Sequence, residues 1–243
     1  QILQGMAMKY GVDHWRRHRG RCMGTLYWQI NDNWPVASWA SIDYFGRWKA
    51  LHYMAKNFYA PQAVSMCRDG DTMQVYLENE SMEAQPYQVV FYVKNMECEI
   101  LEKIIGKGTV GVQESGQILV VDVSREDKKY EIFLEAEVTL ADGSVLRDVE
   151  TLVPYKYLEL DKPEITAEVE EQDDAFVIHL KSSCFSPFTA IGFTDVDVTL
   201  TDNFFHMTDG EEMCIRLDKK DVRNGEILDA VDLTQQMEIL TLA

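Results

Sequence analysis

Residues 24–39 read Gly24-Thr-Leu-Tyr-Trp-Gln-Ile-Asn-Asp-Asn-Trp-Pro-Val-Ala-Ser-Trp39 and hold three of the five tryptophans of the 243-residue chain. The run at 25–30 is apolar, β-prone and bulky on both faces, which predicts a short strand buried on both sides. Polar residues follow it immediately, in Asn31, Asp32 and Asn33. The stretch therefore predicts a buried strand whose carboxyl end carries polar and aromatic side chains.

A helix is predicted on either side of this strand. Apolar residues recur at helical spacing from Ile2 to about Trp15, and four arginines crowd the end of that helix, where cations complement the helix dipole. A second helix is predicted from Arg47 to Phe58 and is closed by Ala60-Pro61. The first 60 residues thus have the order helix, strand, loop, helix.

From Val64 onward, apolar residues alternate with polar ones, which is the pattern of half-buried strands. Two hairpins are predicted around Asp69-Gly70 and Asp142-Gly143. Short strands with turn signals between them predict two antiparallel sandwiches, with Lys162-Pro163 as the linker. The predicted strands are 63–67, 72–77, 88–94, 99–105, 117–123, 130–140 and 145–149 in the first series, and 165–170, 175–181, 193–200, 212–216 and 238–242 in the second.

The charge changes at the same place as the pattern. Residues 1–60 carry eight Lys and Arg against three Asp and Glu, a net charge of +5, and residues 61–243 carry a net charge of −23. So abrupt a shift indicates a domain boundary near Phe58 to Pro61. The acidic surface excludes nucleic acid as a partner, because phosphates would be repelled. The longest apolar runs are too short to cross a bilayer, so we expect no membrane partner.

The five cysteines are odd in number, widely spaced and free of any Cys-x-x-Cys motif. This usage predicts buried free thiols in a reducing compartment, and therefore a cytoplasmic protein. Because the chain opens on Gln1 within a helical pattern, we expect it to be a fragment whose upstream part, including any signal peptide, is missing. We expect no cofactor and no metal. His14 and His18 are four residues apart, but no carboxylate accompanies them on that helix face.

Tryptophans interleaved with amides, carboxylates and hydroxyls are typical of sugar sites, since a pyranose ring offers an apolar face for stacking and a rim of hydroxyls. An equally simple interpretation is a tryptophan-rich core. The residues alone leave both interpretations open.

Two segments resemble a known enzyme family. Residues 24–39 and Ile42-Asp-Tyr-Phe-Gly-Arg-Trp-Lys-Ala-Leu-His-Tyr53 are similar to the end of the catalytic barrel in β-mannosidases of glycoside hydrolase family 2. Asp202-Asn-Phe-Phe-His-Met-Thr-Asp-Gly-Glu211 resembles part of the C-terminal immunoglobulin-like domain of the same proteins. In this second segment, His206-Met-Thr-Asp209 departs from the more apolar family pattern, which we expect to affect only the packing of the sandwich.

The resemblance implies a mainly β fold, with two immunoglobulin-like antiparallel β-sandwiches preceded by a helix-strand-helix remnant of a (β/α)8 barrel. The implied domains are residues 1–57, the C-terminal end of the barrel; residues 58–160, an immunoglobulin-like sandwich; and residues 161–243, the C-terminal immunoglobulin-like sandwich. Barrel active sites lie at the carboxyl ends of the strands, which here means residues 29–39.

The implied function is that of an exo-acting retaining β-mannosidase, which hydrolyses terminal β-mannose from oligosaccharides. The implied substrate-binding residues are Trp34, as an aromatic wall of the sugar site, with Asp32 and Asn33 binding substrate or holding the loop. Trp28 and Trp48 are expected in the core, and Asp43 and Arg47 are expected to form a structural pair.

No catalytic residue is expected in this chain. Retention needs two carboxyl groups about 5 Å apart, the family supplies both as glutamates, and no glutamate precedes Glu78. The chain alone is therefore expected to be inactive, with its sandwiches buttressing the barrel and its exposed barrel remnant open to self-association. The alternative is a non-catalytic carbohydrate-binding β-sandwich protein, which would need no upstream glutamates.

Overall fold

A computed structural model describes residues 1–124 and 128–242. The described chain forms two compact units, each assembled from separated segments. One unit contains residues 1–6, 27–54 and 161–243, and the other contains residues 7–26 and 55–160. The predicted mainly β fold with immunoglobulin-like sandwiches is confirmed. Among the described residues, no helix has both the length and the apolar character needed to span a bilayer.

Two helices frame the tryptophan-rich stretch, as predicted. Helix α1 spans Ile2–Arg17 and helix α2 spans Ala50–Phe58. The arginines at the end of α1 have partners beyond the helix dipole. Arg16 donates from Nη2 to the carbonyl of Ala60 at 2.7 Å, and Arg17 donates to Ser65 Oγ at 3.1 Å.

The unit of residues 7–26 and 55–160 holds a sandwich of two antiparallel sheets. One sheet has the strand order β1-β2-β5 and the other has the order β4-β3-β6-β7. Their apolar faces enclose one core, in which Phe91, Leu77 and Leu134 are fully buried. The strands are β1 (Gln62–Asp69), β2 (Thr72–Asn79), β3 (Gln85–Asn95), β4 (Ile100–Val110), β5 (Glu114–Asp122), β6 (Ile132–Leu140) and β7 (Val145–Thr151).

The C-terminal region, residues 161–242, contains β8 to β15 and a short helix, α3. The sheets have the orders β13-β9-β8, β12-β10-β15 and β11-β14. The elements are β8 (Ile165–Glu171), β9 (Ala175–Ser182), β10 (Ser186–Phe193), β11 (Asp197–Val198), β12 (Phe205–Met207), β13 (Met213–Asp218), β14 (Val222–Arg223), α3 (Ala230–Gln236) and β15 (Met237–Leu240).

The segment 202–211, which carries part of the family resemblance, packs in the C-terminal sandwich. The amide of Asn203 donates to the carbonyl of Ile191 at 2.9 Å and accepts from the Ile191 N–H at 2.9 Å. Phe205 and Met207 are buried in the core of the same region. His206 packs against Phe188, with ring centroids 4.5 Å apart. The segment thus serves packing, as expected.

Parts of the secondary-structure prediction are wrong. The strand predicted at 193–200 is reduced to Asp197–Val198, while the buried strand Ser186–Phe193 and the helix Ala230–Gln236 were not predicted. Residues 25–30 form no ladder. The prediction that this segment is buried on both faces is also wrong, since Leu26, Trp28 and Ile30 are exposed.

The five cysteines are thiols outside any disulfide, as predicted, but only one of them is buried. That cysteine is Cys184, while Cys214 is exposed and the other three are half-buried. The expectation of buried thiols is therefore wrong for four of the five positions. Cys214 Sγ lies 3.4 Å from His179 Nδ1 and 3.8 Å from Glu212 Oε1.

Candidate functional site

The loop after residue 30 folds back beside the segment that precedes it. Asn31 and Ile42 form an isolated parallel bridge, and Ile42 forms a second, antiparallel bridge with Trp48. The Ile42 N–H donates to the carbonyl of Ile30 at 2.8 Å, and the Asp32 N–H donates to the carbonyl of Ile42 at 3.1 Å. These contacts place residues 32–34 at the start of a closed loop. The loop is thus built on a fixed base.

Asp32 holds this loop from the inside. Its carboxylate is buried and accepts a hydrogen bond from Ser38 Oγ, which lies 2.6 and 2.7 Å from the two oxygens. The ammonium of Lys49 lies 3.6 Å from the same carboxylate. Ser38 Oγ also accepts from the Ala40 N–H at 3.0 Å. Of the two roles foreseen for Asp32, these contacts support holding the loop.

Trp34 and Asn33 lie outside this hydrogen-bonded base. Trp34 is 67% exposed, and Asn33 is exposed beside it. An exposed indole at a loop held by buried contacts offers a flat apolar face to a ligand. Their role in substrate binding stays a prediction.

Trp34 belongs to a set of exposed apolar side chains, which we call the 28–45 apolar surface. Large apolar groups are usually withdrawn from water, so this many exposed ones within 18 positions indicate a surface that another group covers. Its members are Trp28, Ile30, Trp34, Val36, Trp39, Tyr44 and Phe45. Trp28, at 71% exposure, is not in the core as predicted. Trp48 is half-buried and packs edge-on against Tyr53, as predicted.

Asp43 and Arg47 form the structural pair that was expected. The Arg47 guanidinium lies 2.6 Å from Asp43 Oδ2, and Asp43 Oδ1 accepts from the N–H groups of Phe45 and Arg47 at 2.9 Å. Partial burial alone would raise the pKa of Asp43, but hydrogen bonds from Arg47 and Phe45 outweigh it and lower that pKa. Gly46 closes the turn at φ +82°, a backbone conformation that favours glycine. Asp43 therefore fixes the loop.

Ser41 and His52 are close neighbours that the sequence analysis did not single out. Ser41 Oγ lies 2.9 Å from His52 Nδ1 and 2.8 Å from the hydroxyl of Tyr27. Burial lowers the pKa of His52. Such a pair resembles an activated nucleophile, but Ser41 is fully buried and no substrate reaches it. The pair joins the loop to helix α2.

His14 and His18 lie side by side on helix α1. Their rings are tilted by 38° with centroids 4.4 Å apart, and His18 Nδ1 donates to the carbonyl of His14 at 2.7 Å. This hydrogen bond within the helix gives His18 a structural role and occupies its Nδ1.

Comparison with known proteins shows that this chain is similar to β-mannosidases. Residues 160–240 match the family model Ig_mannosidase, an Ig-fold domain. The chain is 29% identical over 237 residues to the β-mannosidase of Bos taurus, a match that covers 86% of this chain and 26% of that protein. It is 27% identical over 243 residues to β-mannosidase B of Emericella nidulans, covering 89% and 28%. The chain thus spans about a quarter of the length of these curated relatives.

Solved structures show the same fold. The crystal structure of the β-D-mannosidase from Dictyoglomus thermophilum matches with a TM-score of 0.86 at 20% identity, over 100% of this chain and 29% of that chain. The exo-chitosanase CsxA of Amycolatopsis orientalis matches with a TM-score of 0.73 at 14% identity, over 98% of this chain and 32% of that chain. The resemblance to the C-terminal region of β-mannosidases, stated from the sequence, is confirmed.

Proposed function

We propose that this chain is the C-terminal portion of an exo-acting retaining β-mannosidase of glycoside hydrolase family 2. The observation that carries the proposal is the rigidly based loop at 31–47, which presents Trp34 and Asn33 to solvent in a chain similar to β-mannosidases over most of its length. In this proposal residues 1–57 complete a catalytic barrel, and the domains at 58–160 and 161–243 buttress it. The substrate is an oligosaccharide with a terminal β-mannose.

The proposal assigns no catalytic group to this chain. The carboxylates of residues 1–60 are Asp13, Asp32 and Asp43, and each is held in an ion pair or hydrogen bond that occupies it. A retaining reaction needs a nucleophile and an acid/base carboxyl group about 5 Å apart. Both groups come from elsewhere in the enzyme. The isolated chain turns over no mannoside on its own.

Hydrolysis of a panel of chromogenic β-glycosides tests the function. The panel is offered to an enzyme in which this chain is joined to its upstream coding region, and the isolated chain is assayed beside it. Turnover of β-mannoside by the longer enzyme alone supports the proposal. If the longer enzyme cleaves no member of the panel but binds sugars, the proposal is wrong. The alternative function, that of a non-catalytic carbohydrate-binding β-sandwich protein, is then supported.

Replacing Trp34 with alanine is expected to lower kcat/KM for β-mannoside by roughly 10- to 100-fold in that longer enzyme. Loss of an aromatic wall removes about 1.5–3 kcal/mol of apolar contact with the sugar. Because the indole is exposed, the melting temperature should change by less than about 2 °C. Trp15→Ala, a partly exposed tryptophan on helix α1, is the control and should leave turnover unchanged. A large loss of stability with normal turnover would instead place Trp34 in the core.

The 28–45 apolar surface also predicts self-association of the isolated chain. Its seven exposed aromatic and aliphatic side chains favour the binding of a second copy, because burial removes apolar area from water. We expect light scattering to give a mass above that of one chain, and indole emission to shift to shorter wavelength as concentration rises. A monomer at all concentrations would refute this expectation.

The location proposed for the protein is the cytoplasm. Free cysteines at all five positions support a reducing compartment, where thiols persist.

A further inference from the structure

Three metal-binding side chains meet on the solvent face of the β13-β9-β8 sheet. Cys214, on β13, is directly opposite His179 on β9, since the two strands pair in unbroken register from Met213↔Leu180 to Asp218↔Ala175. Glu212 lies two positions before Cys214 and therefore reaches the same face. Among the described residues, this is the group whose His, Cys and carboxylate ligand atoms all lie within 4.8 Å of one another.

The distances between the three ligand atoms are close to those between ligands of one metal ion. His179 Nδ1 lies 2.9 Å from Glu212 Oε1, Cys214 Sγ lies 3.4 Å from His179 Nδ1, and Sγ lies 3.8 Å from Glu212 Oε1. A tetrahedral zinc ion with bonds of about 2.0–2.1 Å to nitrogen or oxygen and about 2.3 Å to sulfur separates its ligands by about 3.3–3.6 Å. Each observed distance is within about 0.5 Å of that range. Small side-chain adjustments therefore suffice to admit the ion.

We propose that His179, Glu212 and Cys214 bind one Zn²⁺ ion. A thiolate, an imidazole and a carboxylate form the mixed sulfur, nitrogen and oxygen set that zinc accepts, whereas magnesium and calcium take oxygen ligands only. The fourth position is open to water, because Glu212 and Cys214 are exposed. Binding releases the thiol proton to solvent.

The residues around these three side chains support them as ligands. His179 Nε2 lies 3.6 Å from Glu170 Oε2, so a carboxylate stands on the other side of the imidazole and favours the tautomer that leaves Nδ1 free for an ion. Lys181 lies 3.5 Å from Glu212 Oε2, the oxygen that does not face the thiol, and leaves Oε1 for the ion. Beneath the site, Ile178, Leu180 and Ile215 are buried in the core. The ligands therefore stand on a rigid strand pair.

This site lies outside the loop assigned to sugar binding and requires no glycosidase activity. A bound ion links β9 to the segment that enters β13, so it stabilises the C-terminal region by an amount that grows with the logarithm of the free metal concentration above the Kd. Residue spacing does not reveal this site, since Glu212 and Cys214 are 33 and 35 positions from His179 along the chain.

Titration of the reduced chain with Co²⁺, followed by competition with Zn²⁺, tests the proposal. We expect one Co²⁺ per chain and a near-ultraviolet charge-transfer band from the thiolate, which Zn²⁺ abolishes. Cys214→Ser should remove the band and weaken Zn²⁺ binding by at least about 100-fold, since changes to outer partners alone cost 10- to 100-fold. Cys67→Ser is the matched control and should keep the band.

Two further variants distinguish the loss of a metal ligand from the loss of a residue that only supports a ligand. His179→Gln should weaken Zn²⁺ binding as strongly as the cysteine variant, and Glu170→Gln should weaken it about tenfold. Circular dichroism of each variant checks that the sheet is retained. A wild-type chain that develops no charge-transfer band, or a Cys214→Ser variant that binds Zn²⁺ as tightly as wild type, overturns the proposal.

Discussion

Replacing Lys9 with methionine is expected to lower the free energy of unfolding by about 3–5 kcal/mol, because the change leaves buried carboxylates without their counter-charge. The Lys9 ammonium lies 2.9 Å from Asp148 Oδ1, 2.9 Å from Asp13 Oδ2 and 3.9 Å from Glu150 Oε1. Asp13 and Asp148 are almost fully buried. The ion pair between Lys9 and Asp148 also holds helix α1 against strand β7.

The electrostatics of this cluster explain the size of the effect. Burial alone would lower the pKa of Lys9, but Asp148, Asp13 and Glu150 outweigh it and raise that pKa well above its ordinary value. Burial raises the pKa of Asp148, and the attraction of Lys9 opposes the rise. The Met66 N–H gives Asp148 Oδ2 a further hydrogen bond at 2.7 Å. Methionine keeps the aliphatic stem but supplies neither the charge nor the donors.

Urea unfolding followed by circular dichroism measures the loss. Lys107→Met, an exposed lysine on strand β4, is the matched control and should change stability by less than about 0.5 kcal/mol. Burial raises the pKa of Asp148, so lowering the pH should narrow the difference in stability between Lys9→Met and wild type, because a protonated Asp148 no longer needs a counter-charge. A loss below about 1 kcal/mol at neutral pH would show that water reaches the carboxylates.

The strands predicted well from sequence lie beside Asp-Gly turns, which mark where a hairpin begins and ends. Strands β2 and β6 flank such turns, and both were placed within two residues of their start or end. Strand β10 has no such turn beside it, and its first six residues are all buried, so no alternation marks it. Helix α3 is short, and its signal was only the capping residue Asp229.

Residues 25–30 show that residue types alone do not determine whether a segment forms a strand. The residue types are those of a strand, but a strand exists only where a neighbour supplies hydrogen bonds. Among the described residues, Gln29 and Ile30 accept backbone hydrogen bonds from Ser41 and Ile42, and the Asn31↔Ile42 bridge follows, but residues 25–30 form no ladder. The alternate side chains of this segment are therefore exposed, and no local pattern foretells that outcome.

The candidate site was predictable in part for the same reason. Asp32 could be singled out because it follows the apolar run directly, and the structural role of the Asp43 and Arg47 pair follows from a spacing of four residues. Ser38, by contrast, reaches the Asp32 carboxylate only because the loop folds back. The Ser41 and His52 contact depends on where helix α2 begins. Such contacts are set by tertiary structure and leave no trace in spacing.

Replacing Glu78 with glutamine is expected to raise stability by about 2–3 kcal/mol at pH 8.5 and to change it little at pH 5. Glu78 is buried, and burial raises its pKa from 4.5 to about 7. The hydrogen bond from Ser65 at 2.9 Å and the charges of Arg16 and Arg17 oppose that rise, and Asp13 adds to it. Oε2 has no hydrogen-bond partner among the described residues.

The direction of the pH dependence follows from these values. Between pH 4.5 and 7 the folded chain holds a proton on Glu78 that the unfolded chain has released. The stability this group contributes is therefore fully present below pH 4.5 and is lost as the pH rises through 7. Glu150 also has its pKa raised to about 7 by burial, but its side chain is 40% exposed. Solvent screening reduces the contribution of Glu150 to the pH dependence of stability, so Glu78 makes the larger contribution.

Denaturant unfolding of both proteins from pH 5 to 8.5 measures this effect. Glutamine mimics the protonated acid, since its carbonyl accepts from Ser65 at every pH and carries no charge to bury. The stability curve of Glu78→Gln should therefore be flatter than that of wild type across this range. Glu83→Gln, an exposed glutamate in the following loop, is the matched control and should reproduce the wild-type slope. Parallel curves for Glu78→Gln and wild type would mean that Glu78 is ionised without cost, and hence that water reaches Oε2.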